Sequence, residues 1–301
     1  MKKWIKAARL RTLPLSVSGI IAGTACAYQN YHEQQNFWSI FILCLLTTLF
    51  LQVLSNYAND YGDAVKGTDN ENRVGPKRAV QSGEITAGQM KSAIVITAGL
   101  SLITALAVIF TAFGKEQFAM AVFYFLLGIA CVAAAIKYTV GGSAYGYRGL
   151  GDIFVFLFFG VVSTVGSYFL YAQQLDFRVF LPAVTIGCLS TAVLNMNNMR
   201  DIHNDTVMNK NTLVVKIGFD KARIYHFSLI LIAVIALNTY ALWMNFRWYQ
   251  YIYLIGFVPL IKNLKVVNTV IDPRNLDPEL KRVSLSTFFI TLLFAIAILL
   301  N

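Results

Sequence analysis

Charge is scarce in this chain. Asp, Glu, Lys and Arg make up 13% of its 301 residues, where a soluble domain carries about 25%. No polar stretch is long enough to fold as a water-soluble domain, because the longest connections, about 57–90, 200–225 and 262–282, are loop-sized. Cysteine is equally sparse. Cys26, Cys44, Cys131 and Cys188 each lie in an apolar run without CxxC spacing, which reads as small buried hydrophobes rather than as a disulfide or thiolate-metal framework. Low-complexity segments are missing. The first apolar run starts after Arg11 and lacks a convincing small-residue cleavage site, so no cleaved leader is expected.

Hydrophobic residues are abundant, at 57%. A membrane-crossing helix needs about 20 mostly apolar residues, and nine runs of that kind are predicted: 12–30, 37–57, 90–113, 118–136, 152–172, 178–199, 226–244, 247–264 and 283–300. Only Asn245–Arg247 divides the seventh from the eighth. The expected fold class is an all-α polytopic membrane protein, with residues 1–301 as a single transmembrane domain. The basic residues alternate with the spans: 22 of the 25 fall on one side, and only Lys115, Arg178 and Arg247 on the other. Cytoplasmic loops carry the excess of Lys and Arg, so the N-terminus and the loops after the second and sixth spans are expected in the cytoplasm and the C-terminus outside. The net charge of +10 then reads as topology and anionic-lipid contact. Spread over five loops, the basic residues form no nucleic-acid surface.

What charge there is gathers in two places. Asn56–Gly83 ends the second span with NYANDYGDAVKGTDNENRVGPKRAVQSG, and Asn197–Thr212 ends the sixth with NNMRDIHNDTVMNKNT. The spans are four apart, so both sets belong at one membrane face. Ionisable groups at that depth are costly and face a partner, an ion or a wet cavity. Asp60 and Asp63 are three apart and share a helix face, as do Asp201 and Asp205, four apart. Asn56, Asn59 and Asp63 follow one stripe, and Asp69 comes after Lys66 and Gly67, where the helix gives way to loop. Carboxylates and amides suit Mg²⁺, which takes one or two carboxylates together with substrate phosphate oxygens. His203, between the two aspartates of the second set, lies off their shared face. Arg73, Lys77, Arg78 and Lys210 follow the acids and are suited to phosphate oxygens, although the same residues also satisfy the positive-inside bias. The connection Lys137–Asp152, KYTVGGSAYGYRGLGD, brings Lys137, Tyr138, Tyr145, Tyr147 and Arg148 together with five glycines. It is either a flexible interfacial loop or part of a pocket for an aromatic molecule. Arg11, ahead of Pro14, is either an interface anchor or an anion contact.

These patterns resemble the UbiA superfamily of intramembrane prenyltransferases over essentially the whole chain. NDYGDAVKGTD (Asn59–Asp69), RVGPKRAVQSG (Arg73–Gly83), YGYRGLGDIFVFLFFG (Tyr145–Gly160), NNMRDIHND with KNTLVVKIG after it, and RTLPLSVSG (Arg11–Gly19) resemble the branch that acts on a hydroxynaphthoate. Gly67 stands where the superfamily's first motif often ends in Asp, with Asp69 two residues on, and Asn209 stands where a glycine is usual. The resemblance implies a helical bundle around a central cavity and a multi-pass enzyme of the bacterial inner membrane. Asn59, Asp63, Asp201 and Asp205 match metal-ligand positions, with Asp60 and Asp69 as further candidates, and two Mg²⁺ ions would hold the diphosphate. Asp60, Asp63, Asp201 and Asp205 would carry the chemistry; Arg11, Asn56, Arg73, Lys77, Arg78, Lys137, Tyr138, Arg148 and Lys210 would bind substrate. The implied partners are a polyprenyl diphosphate, 1,4-dihydroxy-2-naphthoate and the lipid bilayer. Another acceptor, such as 4-hydroxybenzoate, haem or a chlorin, stays open, as does, outside this class, a polytopic transporter.

Overall fold

The structure is a computed structural model that describes residues 2–9, 12–70 and 74–300. Those residues hold thirteen α-helices and no strand: α1 (Lys2–Ala8), α2 (Leu13–Tyr31), α3 (Phe37–Val65), α4 (Ala87–Phe113), α5 (Phe118–Lys137), α6 (Gly151–Val155), α7 (Ser163–Ala172), α8 (Phe180–Arg200), α9 (Ile202–Val207), α10 (Leu213–Ile217), α11 (Phe219–Trp243), α12 (Val258–Thr269) and α13 (Asp277–Leu299). A π-helical stretch, Phe156–Val162, joins α6 to α7, so Gly151–Ala172 acts as one span. Among the described residues, seven helical segments are long and apolar enough to cross a membrane, or eight if α1 and α2 are counted together as one span. The architecture is that of a multi-pass membrane protein.

Nine spans is therefore an approximate count. The expected span 247–264 is divided: Trp248–Phe257 is a 3₁₀ helix and α12 continues from Val258. Pro259 lies in the first turn of α12 and has no N–H to donate backward, so the α ladder cannot run through it.

Which helices face lipid follows from where the apolar side chains end up. α5 leaves Phe118, Phe123 and Leu126 exposed, whereas α8 buries most of its length. α8 packs with α11, α13 and α2 around Leu189, Met196, Leu237 and Phe294. A second apolar cluster ties α2, α3, α4 and α7 together through Phe37, Phe113 and Tyr171. A third binds α1, α3 and α4 to the loop before α4 through Leu54, Ala79, Ile85 and Met90. Without a hydrophobic drive between spans in lipid, close packing matters more, and small residues permit it. At the crossing of α8 with the π stretch, a Cβ on Gly160 would lie 2.6 Å from the Gly187 Cα.

The length of α3 sets up the site. Its 29 residues span about 44 Å at 1.5 Å per residue, more than the ~30 Å hydrocarbon core. The surplus falls at the polar end, Asn56–Asp63. Thr86 then restarts the chain into α4 with a capping box shared with Gln89.

Candidate active site

Asp60 and Asp63 sit one turn apart on α3 yet turn to different tasks. Both oxygens of Asp60 accept backbone N–H groups, from Ala79 and Val80, at 3.1 Å each. Asp60 thus clasps the following loop and does not line the cavity. Asp63 does line it. Its Oδ2 accepts from Arg78 Nη1 at 2.6 Å, and its Oδ1 accepts from the Tyr147 hydroxyl at 2.7 Å. Arg78 also reaches Asp69 at 3.2 Å and donates to the Asn59 carbonyl at 2.8 Å. The Asn59 side-chain oxygen accepts from Thr139, whose close approach needs the bare backbone of Gly62: a Cβ there would lie 2.6 Å from Thr139 Oγ1. Asn56 lines the cavity, and its amide donates to the Ala8 carbonyl at 2.8 Å, tying α1 to α3.

The second set forms where α8 stops. Asp201 breaks the helix, and α9 restarts after it. Asp201 is gripped by its own neighbour: Arg200 Nε and Nη2 donate to Oδ1 and Oδ2 at 2.9 and 2.6 Å. The same guanidinium, 2% exposed, reaches Asp277 of α13 at 2.6 Å and Asn197 at 2.9 Å. Asp205 has Lys210 at 3.6 Å. The sets are joined: Asn204 donates to the Thr68 carbonyl at 3.1 Å, and Thr68 Oγ1 lies 2.6 Å from the Tyr147 hydroxyl. Lys66 stands 3.9 Å above the Tyr147 ring.

Of these carboxylates, Asp63 and Asp277 line a cavity of about 420 Å³. Its mouth is polar, with Asn59, Asp63, Arg78, Asn197 and Lys210, and its depth is apolar, with Leu15, Ile20, Val108 and Phe158. The charges perturb one another. Burial acts to lower the Arg78 guanidinium, but Asp63 and Asp69 outweigh it and hold Arg78 above its ordinary range. Lys210 is raised in the same way, with Asp63 and Asp205 overcoming burial. Burial pushes the Asp205 carboxyl up to about 6, with Lys210 opposing and Asp201 and Asp63 adding to the rise.

The donor set can be tested for a metal. Among the described residues, no three His, Cys, Asp or Glu groups converge as a protein-only cage. Mg²⁺ does not need one, since one or two carboxylates plus phosphate oxygens suffice. All donors at the mouth are oxygens, and Asp205 Oδ2 is buried with no hydrogen-bond partner. The residues fit a hard cation that arrives with a phosphorylated ligand.

The UbiA prenyltransferase family matches residues 17–293. This chain belongs to that family. It is 41% identical over 298 residues to the Escherichia coli 1,4-dihydroxy-2-naphthoate octaprenyltransferase, covering 99% of this chain and 95% of that one. It is 39% identical over 304 residues to the protein of the same description from Haemophilus influenzae, covering 100% and 97%. Among solved structures, a UbiA homolog from Archaeoglobus fulgidus bound to DMAPP and Mg²⁺ matches with a TM-score of 0.62 at 17% identity, covering 98% of this chain and 99% of that one.

The remaining UbiA-type positions divide. Tyr138 lines the cavity, edge-on to Tyr145 at 5.3 Å. Lys77, Lys137 and Arg148 are exposed and lie away from its walls. The carbonyl of Arg148 accepts from Lys216 at 2.5 Å. Arg11 and Arg73 lie outside the described residues. Two participants, Arg200 and Asp277, are not among the candidates named from sequence, and a third, Tyr147, takes another role. Arg200 is one of the 22 basic residues that alternate with the spans, and an Arg directly before the Asp of a helix-ending NNMRD is the signal that marks it out. Asp277 had none, because it comes to the site from the far end of the chain. Tyr147 was grouped with the pocket tyrosines but turns to Asp63.

Proposed function

We propose that this protein transfers a polyprenyl group from its diphosphate to 1,4-dihydroxy-2-naphthoate, releasing diphosphate and CO₂ and forming demethylmenaquinol. The observation that carries this reading is a largely apolar cavity whose polar mouth takes Asn59, Asp63 and Arg78 from the first set and Asn197 and Lys210 from the second, with the two sets tied by the Asn204–Thr68 hydrogen bond. The near-full-length likeness to naphthoate octaprenyltransferases supports the acceptor.

The apolar depth takes the prenyl tail and leaves the diphosphate at the mouth, beside Arg78 and Lys210. Asp63, Asp69, Asp201 and Asp205, with Asn59, would hold Mg²⁺, two ions in this reading; bound there, they neutralise charge on the departing diphosphate. Arg78 and Lys210 add fixed positive charge where negative charge develops. As the allylic C–O bond breaks, its electron pair leaves with diphosphate. The ring carbon bearing the carboxylate forms the new C–C bond. The bond to the carboxylate then breaks, CO₂ departs, and its electrons restore the aromatic ring. No base is needed at that carbon, since CO₂ leaves in place of a proton. Apolar walls exclude water, which would otherwise capture the allylic fragment. Asp60 is assigned the loop clasp and Asn56 the α1–α3 tie. The chain is taken as one membrane domain, 1–301, of a bacterial cytoplasmic membrane. The distribution of its basic residues supports a cytoplasmic N-terminus and active-site mouth, with the C-terminus outside.

The test uses purified protein in liposomes with a polyprenyl diphosphate and Mg²⁺, and 1,4-dihydroxy-2-naphthoate or 4-hydroxybenzoate in separate reactions. Mass spectrometry is expected to find a prenylated naphthoquinol lacking the carboxylate, lost on adding EDTA. Product from 4-hydroxybenzoate alone would overturn the acceptor assignment.

A further inference from the structure

The cations on the cavity wall are not equivalent. Arg9, Arg78, Lys210 and Lys281 line it. Arg78 and Lys210 are committed to carboxylates, and Arg9 sits at the α1–α2 junction in a left-handed conformation, φ 52°. Lys281 is exposed, and among the described residues it makes no hydrogen bond or ion pair. Its natural partner would be Asp277, one turn earlier on α13, but Asp277 is taken by Arg200 at 2.6 Å. A lysine pointed into a cavity while its neighbouring acid is bound elsewhere is a cation without a counter-ion.

Position adds a second reason. α13 runs inward from Asp277, so Lys281 attaches about 6 Å further along the helix and Ser284 about 4.5 Å beyond that. Ser284 lines the same wall, as does Ser190 of α8, and both hydroxyls are buried without hydrogen-bond partners. An acceptor ring that attacks the carbon next to the diphosphate has to lie beside the acidic sets. A carboxylate brought among Asp63, Asp201 and Asp277 is repelled unless a cation of its own meets it. We infer that Lys281 binds the carboxylate of the aromatic acceptor, with Ser284 and Ser190 facing its ring hydroxyls, which makes Lys281 a specificity-determining residue. This rests on the proposed hydroxynaphthoate acceptor.

The test compares two inhibitors that differ by the carboxylate, 1-hydroxy-2-naphthoate and 1-naphthol, each competing with the acceptor. In the wild type the carboxylated compound is expected to inhibit at concentrations about 10- to 100-fold lower, the range of a hydrogen bond to a charged group. Lys281→Met should bring that ratio close to one while leaving the KM for the prenyl diphosphate within about twofold, as a contact to the acceptor alone requires. Lys281→Arg should keep most of the preference. Where a variant turns over too slowly, the rise in thermal midpoint on adding each compound reads the same ratio without catalysis. A wild type that does not distinguish the compounds, or a Lys281→Met variant that keeps the wild-type ratio, overturns the assignment. Failure of the acceptor reading is separate: the wild type would then make no prenylated naphthoquinol at all.

Discussion

Asp63 takes its guanidinium from Arg78, fifteen residues along and on a loop, whereas Asp201 takes its own from Arg200, the preceding residue on the same helix. Arg200 is locked further by Asp277 and Asn197. Arg78 is held by Asp63, Asp69 and one backbone carbonyl, and its loop is pinned in turn by Asp60. A guanidinium embedded in the bundle is a structural counter-charge. One carried on a clasped loop can exchange a carboxylate for an incoming phosphate without disturbing a helix. In the proposed reaction Arg78 would then be the adaptable counter-charge, and Arg200 the fixed one.

The largest effect should erase the contrast. Asp63→Ala and Asp201→Ala are each expected to lower diphosphate release by about 10³-fold, the scale of losing one preorganised electrostatic group. Normal turnover of both at limiting Mg²⁺ would sink the metal assignment. The arginines should then separate the halves. Arg200→Ala leaves the buried Asp201 carboxylate without its guanidinium and should destabilise the protein by about 3 kcal/mol with or without Mg²⁺, seen as a lower thermal midpoint. Arg78→Ala should lose midpoint mainly in EDTA and recover with Mg²⁺, because a bound cation replaces the missing charge; equal behaviour of the two variants would end the distinction. Tyr147→Phe removes one hydrogen bond from Asp63 and is expected to raise the Mg²⁺ concentration for half-maximal rate about tenfold, as for other partners behind a metal ligand. The smallest effect belongs to Asp60→Asn, about 1 kcal/mol from one lost acceptor, with faster amide exchange at Ala79 and Val80.

The same contrast explains what could be read in advance. Apolar runs announce membrane helices because lipid enforces one rule on every residue of a span, so most helices lie where the hydropathy puts them. The run at 247–264 keeps its hydropathy but not its helix, because Pro259 breaks the ladder without changing the composition. Spacing placed Asp60 beside Asp63, but only the loop's return past α3 sets their oxygens to different partners. Asp277 and Lys281 reach the cavity through the packing of α13 against α8, a contact between distant parts of the chain that no local pattern encodes. Arg200 was visible but ambiguous, since the positive-inside bias supplies an arginine at a helix end for reasons unrelated to chemistry.

The crossing at Gly160 and Gly187 has a genetic consequence. A Cβ on Gly187 would lie 2.8 Å from the Phe156 ring, and relieving that clash displaces α8. Gly187 and Arg200 are thirteen residues apart on that helix, about 20 Å along its axis. A screen for loss of quinone synthesis would recover Gly187 substitutions together with Asp201 substitutions, and suppressors of the glycine lesion should map to smaller side chains at Phe156 rather than to the acidic residues.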